Sequence, residues 1–294
     1  MRTVYLGTSL FAVWVLERLA ASPHRPALVV TRPDRPRGRG RRLAAPPVAD
    51  AGRDLGIEVF QPESVNAPEA VGRIAAAQPE VVCVCAFGAL VTEPLLSGHL
   101  MLNVHPSLLP RWRGAAPVER AIMAGDQRTG VSIMRVTAGL DSGPVCLRRD
   151  EPIGSEDTYG TLSERLATLG GELLVQGLDH LPTCEEQDEG GATYADKITA
   201  QDRRLDPSRP AVELERIVRA LTPHVGARVE RAGEEPLGVR RAGAVEVGPP
   251  EGALEARDGR LLLGCAEGAV ELLEVQPAGG RAMSAADYLR GHRP

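Results

Sequence analysis

The chain has 294 residues, 43% hydrophobic and 25% charged, which is enough for one large domain or two modest ones. Its net charge is −5, with 34 basic residues against 39 acids, and Lys197 is the only lysine. No run of about 18 apolar residues exists to form a membrane-spanning helix, and the net negative charge by itself speaks against a nucleic-acid partner.

The chain opens on a strand pattern, Val4-Tyr5-Leu6-Gly7-Thr8, and apolar spacing at Phe11, Val15, Leu16 and Leu19 then predicts a helix over 10–21. Ala27–Val30 is a second strand. It runs into Thr31–Arg42 (TRPDRPRGRGRR), six arginines and one aspartate without apolar period, expected to be a loop. A helix over 45–55, a strand at Glu58–Phe60 and a helix over 69–77 follow. Val81–Ala86 is almost continuously apolar, as in a central strand covered on both faces. Strands at 102–105 and 131–136 and helices over 116–124 and 159–178 complete this part. The alternation predicts an α/β domain over 1–183, with a Rossmann-like, mostly parallel sheet. Residues 184–202, acidic and turn-rich, read as a linker. A helix over 211–221 comes next, then short apolar segments at 225–231, 237–239, 253–256, 261–265 and 270–275 separated by glycines and prolines. They predict a small β-barrel or sandwich over 203–294, read here as an OB-like barrel.

Split along the chain, the charge is +6 over 1–149, −11 over 150–202 and zero over 203–294. The net value therefore hides a basic first half, and its sharpest feature is the arginine run. The five cysteines (Cys83, Cys85, Cys146, Cys184, Cys265) are odd in number and scattered, and Met1–Gly7 enters a strand without an export-signal layout. Reduced, mostly buried thiols in a cytoplasmic protein are expected. Cys83 and Cys85, two apart in a strand, are read as packed on one side.

Gly7-Thr8-Ser9 has one glycine where a dinucleotide fingerprint needs three, and Gly38-Arg39-Gly40 lacks the Gly-Lys-Ser/Thr ending of a phosphate loop. Neither a nicotinamide or flavin site nor an ATP site is supported. No cysteine or histidine pairs stand at ligand spacing, so no metal is expected. His24, His99, His180, His224 and His292 are isolated and read as bystanders.

Asn103-Val104-His105-Pro106-Ser107-Leu108-Leu109-Pro110-Arg111-Trp112-Arg113-Gly114 is different. Strand alternation puts Asn103 and His105 on one side at the carboxyl end, where ligands bind in open α/β sheets. A strand-terminating turn, with both side chains capping backbone, would explain the same residues. Asp141, in the loop Gly139–Gly143, favours chemistry because it can orient or pair with His105. An amide, an imidazole and a carboxylate without a serine or cysteine nucleophile can hold a tetrahedral oxyanion and move protons. That suits acyl transfer to an amine supplied by the substrate.

NVHPSLLPRWRGAAP (103–117) resembles the signature of the 10-formyltetrahydrofolate-dependent formyltransferases. RPDRPRGRGRRLAAPPV (32–48), TYADKI (193–198) and VQPAGGRAMSAADYL (275–289) resemble the branch of that family that acts on tRNA. The likeness runs from Leu6 to Tyr288. It implies that Asn103, His105 and Asp141 are the catalytic trio, and that Ser107, Leu108, Leu109 and Pro110 contact folate. Phe87, Gly88 and Leu90 would line the pterin pocket. Arg39 would be wedged into the acceptor stem of the initiator tRNA, with Arg35, Arg37, Arg41 and Arg42 on its phosphates. The implied reaction is formylation of methionyl-initiator tRNA from 10-formyltetrahydrofolate as co-substrate, without metal or membrane, by a monomer. A formyltransferase acting on a small amine, or a tRNA-binding protein with a vestigial site, are the alternatives. Two positions depart from the family's habit: Ser9-Leu10 stands where Pro-Asp is usual, and His224-Val225 where a tryptophan commonly lies.

Overall fold

The computed structural model describes residues 1–37, 42–231 and 233–292. In chain order the elements are β1 (Thr3–Gly7), α1 (Leu10–Ala20), β2 (Pro26–Val30), β3 (Arg35–Arg37), β4 (Arg42–Ala44), α2 (Pro47–Asp54), β5 (Val59–Phe60), α3 (Pro68–Ala76), β6 (Val81–Cys85) and α4 (Leu95–Gly98). Then come β7 (Met101–His105), β8 (Arg113–Gly114), α5 (Pro117–Ala124), β9 (Arg128–Arg135), β10 (Val145–Pro152), α6 (Tyr159–His180) and β11 (Tyr194–Ala195). The last stretch holds α7 (Ala211–Leu221), β12 (Ala227–Val229), β13 (Leu237–Val245), β14 (Leu254–Arg257), β15 (Arg260–Gly264), β16 (Ala269–Gln276), β17 (Met283–Ser284) and α8 (Ala285–Gly291). These form two compact units, one of residues 1–117, 128–152 and 163–195, the other of residues 118–127, 153–162 and 196–294.

The first unit is built on a seven-stranded sheet of order β10-β9-β7-β6-β1-β2-β5. From β7 to β5 the neighbours are parallel, while β9 joins β7, and β10 joins β9, antiparallel. The Rossmann-like expectation is met. All five residues of β6 are buried, as its apolar run requires. Ser9 stands at the start of α1 as its N-cap and accepts from the Ala12 amide, which gives this departure from the family's habit a local role. Prolines open α2 and α3, where a missing N–H costs nothing. Packing of Val4, Leu6, Leu28, Val30, Ile74, Val82, Val84 and Phe87 fills the core on one side of the sheet.

The structure departs from two of these expectations. The arginine run is not simply a loop: β3 and β4 pair antiparallel, Arg35 with Ala44 and Arg37 with Arg42. Extended, solvated arginine and proline residues can pair as strands without any apolar period. The five thiols are not all reduced either, because Cys146 in β10 is joined to Cys184 by a disulfide. Cys83, Cys85 and Cys265 remain free and buried.

In the second unit, β12-β13-β16-β15-β14 form an antiparallel sheet, with β17 also paired to β16. Helix α7 turns Leu214, Ile217, Val218 and Leu221 onto a core shared with Val239, Leu261, Leu263, Val270, Leu272 and Tyr288. Among the described residues no helix is long and apolar enough to cross a membrane.

Candidate active site

The reversal of strand order lies between β1 and β6, and the carboxyl ends of these strands and of neighbouring β7 form one rim. At the end of β1 the Thr8 hydroxyl donates to the Phe87 carbonyl (2.8 Å), and from beyond β2 Arg32 donates to the Gly88 carbonyl (2.9 Å). Residues 86–88 after β6 are thus held by their backbone. Phe87 points into the core, Gly88 takes a positive φ of 73°, and Leu90 is 66% exposed.

Asn103 and His105 leave β7 on the same side, as alternation predicts. The Asn103 amide donates to Asp141 Oδ1 at 3.4 Å, and His105 Nδ1 lies 3.7 Å from Asp141 Oδ2. The other ring nitrogen, Nε2, donates to the Trp112 carbonyl at 2.9 Å. The imidazole is buried and the Asp141 carboxylate only slightly exposed. The three residues proposed for chemistry, drawn from two segments, are thus brought together.

Asp141 itself has φ of 46°, a left-handed conformation that Asp adopts more readily than most residues. Its Oδ2 accepts from the Gly114 amide at 2.9 Å. Gly114 has φ of 118°, and a Cβ there would lie 2.9 Å from the Ala195 carbonyl oxygen. Only glycine lets β8 run this close to β11, with which it pairs in parallel, and so present its N–H to Asp141.

The turn between β7 and β8 is equally tied. Ser132 Oγ donates to the Ser107 carbonyl and accepts from the Leu109 amide, and Ser107 Oγ donates to the Arg111 carbonyl. Both serines are bonded to backbone and neither is poised as a nucleophile. Leu109 packs with Met134 and Val145, while Leu108 and Pro110 are partly exposed. Arg35 and Arg42 are exposed on β3 and β4, and Arg37 pairs with Arg42 through backbone; Arg39 and Arg41 lie outside the described residues.

Four groups that periodicity could not single out complete the surroundings. Gln187, buried, donates through Nε2 to the carbonyls of Asp141 (2.8 Å) and Gly143 (2.7 Å). Its Oε1 accepts from Arg113 Nε at 3.0 Å. Arg113, 2% exposed, also makes a two-pronged ion pair with Glu189 at 3.0 and 2.7 Å. That pairing raises the arginine's pKa and lowers that of Glu189. The fourth group is the Trp112 carbonyl, set by a backbone φ of 64°. Arg113 stood inside a motif that was already conspicuous; a glutamine in an acidic run carried no signal of its own.

Burial pushes the thiols of Cys83 and Cys85 up to about 12, so they are inert core groups as expected. Of the histidines read as bystanders, His24 is buried between the N-terminal amine (2.7 Å) and Asp179 (2.8 Å). In the second unit His224 bonds Glu119 at 3.0 Å and stacks on Tyr159. Among the described residues no three side chains of His, Cys, Asp or Glu are grouped to hold a metal ion.

Comparison with known proteins adds to this geometry. A family profile described as formyl transferase matches residues 1–178, and one described as formyl transferase, C-terminal domain, matches residues 197–293. The methionyl-tRNA formyltransferase of Halorhodospira halophila is 45% identical over 305 residues, covering 99% of this chain and 96% of that protein. Among solved structures, the N-formyltransferase of Helicobacter canadensis, in complex with folinic acid and dTDP-3-aminofucose, shares the fold (TM-score 0.67, 14% identity, 92% of this chain and 98% of that one). The methionyl-tRNA formyltransferase of Clostridium thermocellum also aligns, with a TM-score of 0.59 and 15% identity, over 83% of this chain and 94% of that one.

Proposed function

The chain belongs to the formyl transferase family, and from that premise we propose that it transfers the formyl group of 10-formyltetrahydrofolate to the amino group of methionyl-initiator tRNA. The observation that carries this reading is the 45% identity, over nearly the whole of both chains, to a methionyl-tRNA formyltransferase. The convergence of Asn103, His105 and Asp141 at the carboxyl end of β7 supplies a chemistry that fits.

In the proposed reaction the α-amine, whose ordinary pKa near 8 leaves part of it neutral, attacks the formyl carbon. The carbonyl oxygen becomes an oxyanion facing the Asn103 amide and the His105 ring, and Asp141 balances the charge of a protonated imidazole. The bond from carbon to N10 then breaks. N10 takes its proton from the His105 imidazolium as it leaves, and the proton lost by the amine then restores that imidazolium. Products are tetrahydrofolate and the N-formyl amide.

Ser107, Leu108, Leu109 and Pro110, with Phe87, Gly88 and Leu90, would hold the folate. The position of 87–90 beside the strand-order reversal supports that assignment. For the tRNA we propose Arg35, Arg37, Arg39, Arg41 and Arg42, with Arg39 at the acceptor stem. The domain limits proposed are 1–183 for catalysis, 184–202 for the linker and 203–294 for a tRNA-contacting domain. In the second unit a concavity of about 200 Å³ is lined by Arg203, Arg228 and Arg240. Arg203 donates to the Gly226 carbonyl, and Arg240 to the Pro223 carbonyl and to Gln276 Oε1, neutral acceptors that leave the positive charge to attract phosphate. We read the sheet of this unit as an OB-like barrel, a reading supported by the register shifts between Val239 and Ala242 in β13, since bulges are a means of curving a sheet. The protein is proposed to act as a monomer in the cytoplasm, where its acceptor is made and used.

Incubation with labelled formyl donor and either charged initiator tRNA or small amines tests the reading. Label on methionyl-tRNA is expected. Label on a small amine only would reject it, and tRNA binding without transfer to any acceptor would favour a vestigial site.

A further inference from the structure

Gln187 touches nothing that reacts, yet it grips the loop that presents Asp141. Its amide nitrogen donates to two carbonyls of that loop, Asp141 at 2.8 Å and Gly143 at 2.7 Å. Two N–H groups are thereby spent on two backbone acceptors two positions apart, on either side of Ser142. Its oxygen is fixed in turn by Arg113 Nε at 3.0 Å, which settles the amide orientation: nitrogen toward the loop, oxygen toward the guanidinium. Arg113 is itself immobilised by the two-pronged pair with Glu189, and the next residue, Gly114, donates its backbone N–H to the Asp141 carboxylate. Asp141 is therefore held at both ends, its carbonyl by Gln187 and its carboxylate by the backbone after Arg113.

The need for such a grip follows from the loop's conformation. Asp141 sits at a positive φ that a non-glycine residue adopts at a cost, and it keeps that conformation only where surrounding contacts impose it. A shift of the loop would alter the 3.7 Å approach of its carboxylate to His105 and the 3.4 Å approach to Asn103 together.

We propose that Gln187 is a positioning residue of the reaction, fixing the Asp141 loop so that its carboxylate meets Asn103 and His105. The inference rests on the formyl-transfer reading of the site. Only glutamine meets the geometry, because the chain must reach the loop and offer a donor at one end and an acceptor at the other. Glutamate has the same size but places an oxygen against the two carbonyls; alanine removes both contacts.

The test compares wild type with Gln187→Glu and Gln187→Ala in steady-state formyl transfer, each also combined with Asp141→Asn. Hydrogen exchange of peptides spanning 137–145 is followed in the same proteins. The expected result is a kcat lowered roughly tenfold to a hundredfold, with KM for both substrates changed less than about twofold. Exchange of the 137–145 peptides should accelerate, and in the Asp141→Asn background the further loss from Gln187→Ala should shrink to about twofold or less. Equal losses in both backgrounds, a change in KM alone, or unaltered exchange would overturn the proposal. If either variant is unfolded by circular dichroism the other is decisive, and if both are unfolded Gln187 is a structural residue and the proposal is wrong. Absence of transfer by the wild type would count against the formyl-transfer reading, whereas the exchange measurement judges the grip on the loop independently of activity.

Discussion

At the scale of single residues the proposed reaction needs hydrogen-bond donors for its oxyanion. Asn103 has Asp141 as its side-chain partner, at 3.4 Å, so removing the amide should leave the fold intact while removing a donor from the oxyanion. Asn103→Ala is expected to lower kcat about a hundredfold, the effect of losing one such donor being roughly 3 kcal/mol, with little change in Tm. Kinetics and thermal melts of the same preparation check both halves of that statement. The residues behind this prediction were readable in advance for physical reasons: strand alternation fixes which side chains share a face, and Asn, His and Asp in glycine- and proline-rich turns are unusual. Gln187 and the Trp112 carbonyl were not readable. One meets its partners 44 to 46 positions away, and the other acts through a backbone direction that no side chain encodes.

At the scale of elements, legibility followed burial. The strands β1, β2, β6 and β7 and the helices α1 and α7 bury continuous or periodic apolar sets and were placed within a residue or two. Strand β10 carries no apolar signal, because at the sheet edge its sequence is interrupted by Arg148, Arg149 and Asp150 and Val145 is its one buried residue. Helix α8 is short, and β3 and β4 are solvated. The disulfide ties β10 to the segment that leads to Gln187, closing a loop with a sequence separation of 38. In the chain-entropy account, a link of that length restrains the unfolded chain by about 4 kcal/mol. Reduction with dithiothreitol should therefore lower stability by up to about 4 kcal/mol in urea unfolding. In denaturant without reductant three thiols should titrate, and in the native state Cys83 and Cys85 should resist alkylation at pH 8. Five titratable thiols in unreduced, denatured protein would show that Cys146 and Cys184 are not joined.

At the scale of the whole molecule, acid should weaken the second unit through an identified carboxylate. Burial raises the pKa of Asp202, but hydrogen bonds from Arg120 and from Thr199 outweigh this and hold it down at about 2. A carboxyl depressed in the folded state contributes stability that is full above its unfolded value near 4 and is lost as pH falls toward 2. With solvent screening at this partly exposed site the contribution is on the order of 1 kcal/mol. Asp202→Asn should destabilise the protein at pH 7 and flatten the fall in stability between pH 4 and 2. Parallel acid unfolding curves for variant and wild type would contradict this. The same scale explains why net charge misled: −11 is concentrated in 150–202, and Glu189 and Asp202 there are engaged by Arg113 and Arg120.

The second unit also recruits 118–127 and 153–162, well before its main stretch of 196–294. Glu119 must wait for His224, its partner 105 residues later, and Tyr159 must wait for the same ring. At ribosomal rates of about 5 to 20 residues per second, that wait is roughly 5 to 20 s. During it, Val118, Ile122 and Leu162, all buried in the finished protein, have emerged ahead of the rest of their unit. The order of synthesis thus makes this unit the last to close, and a nascent chain stalled before residue 196 would leave the early segments without the residues that complete their unit.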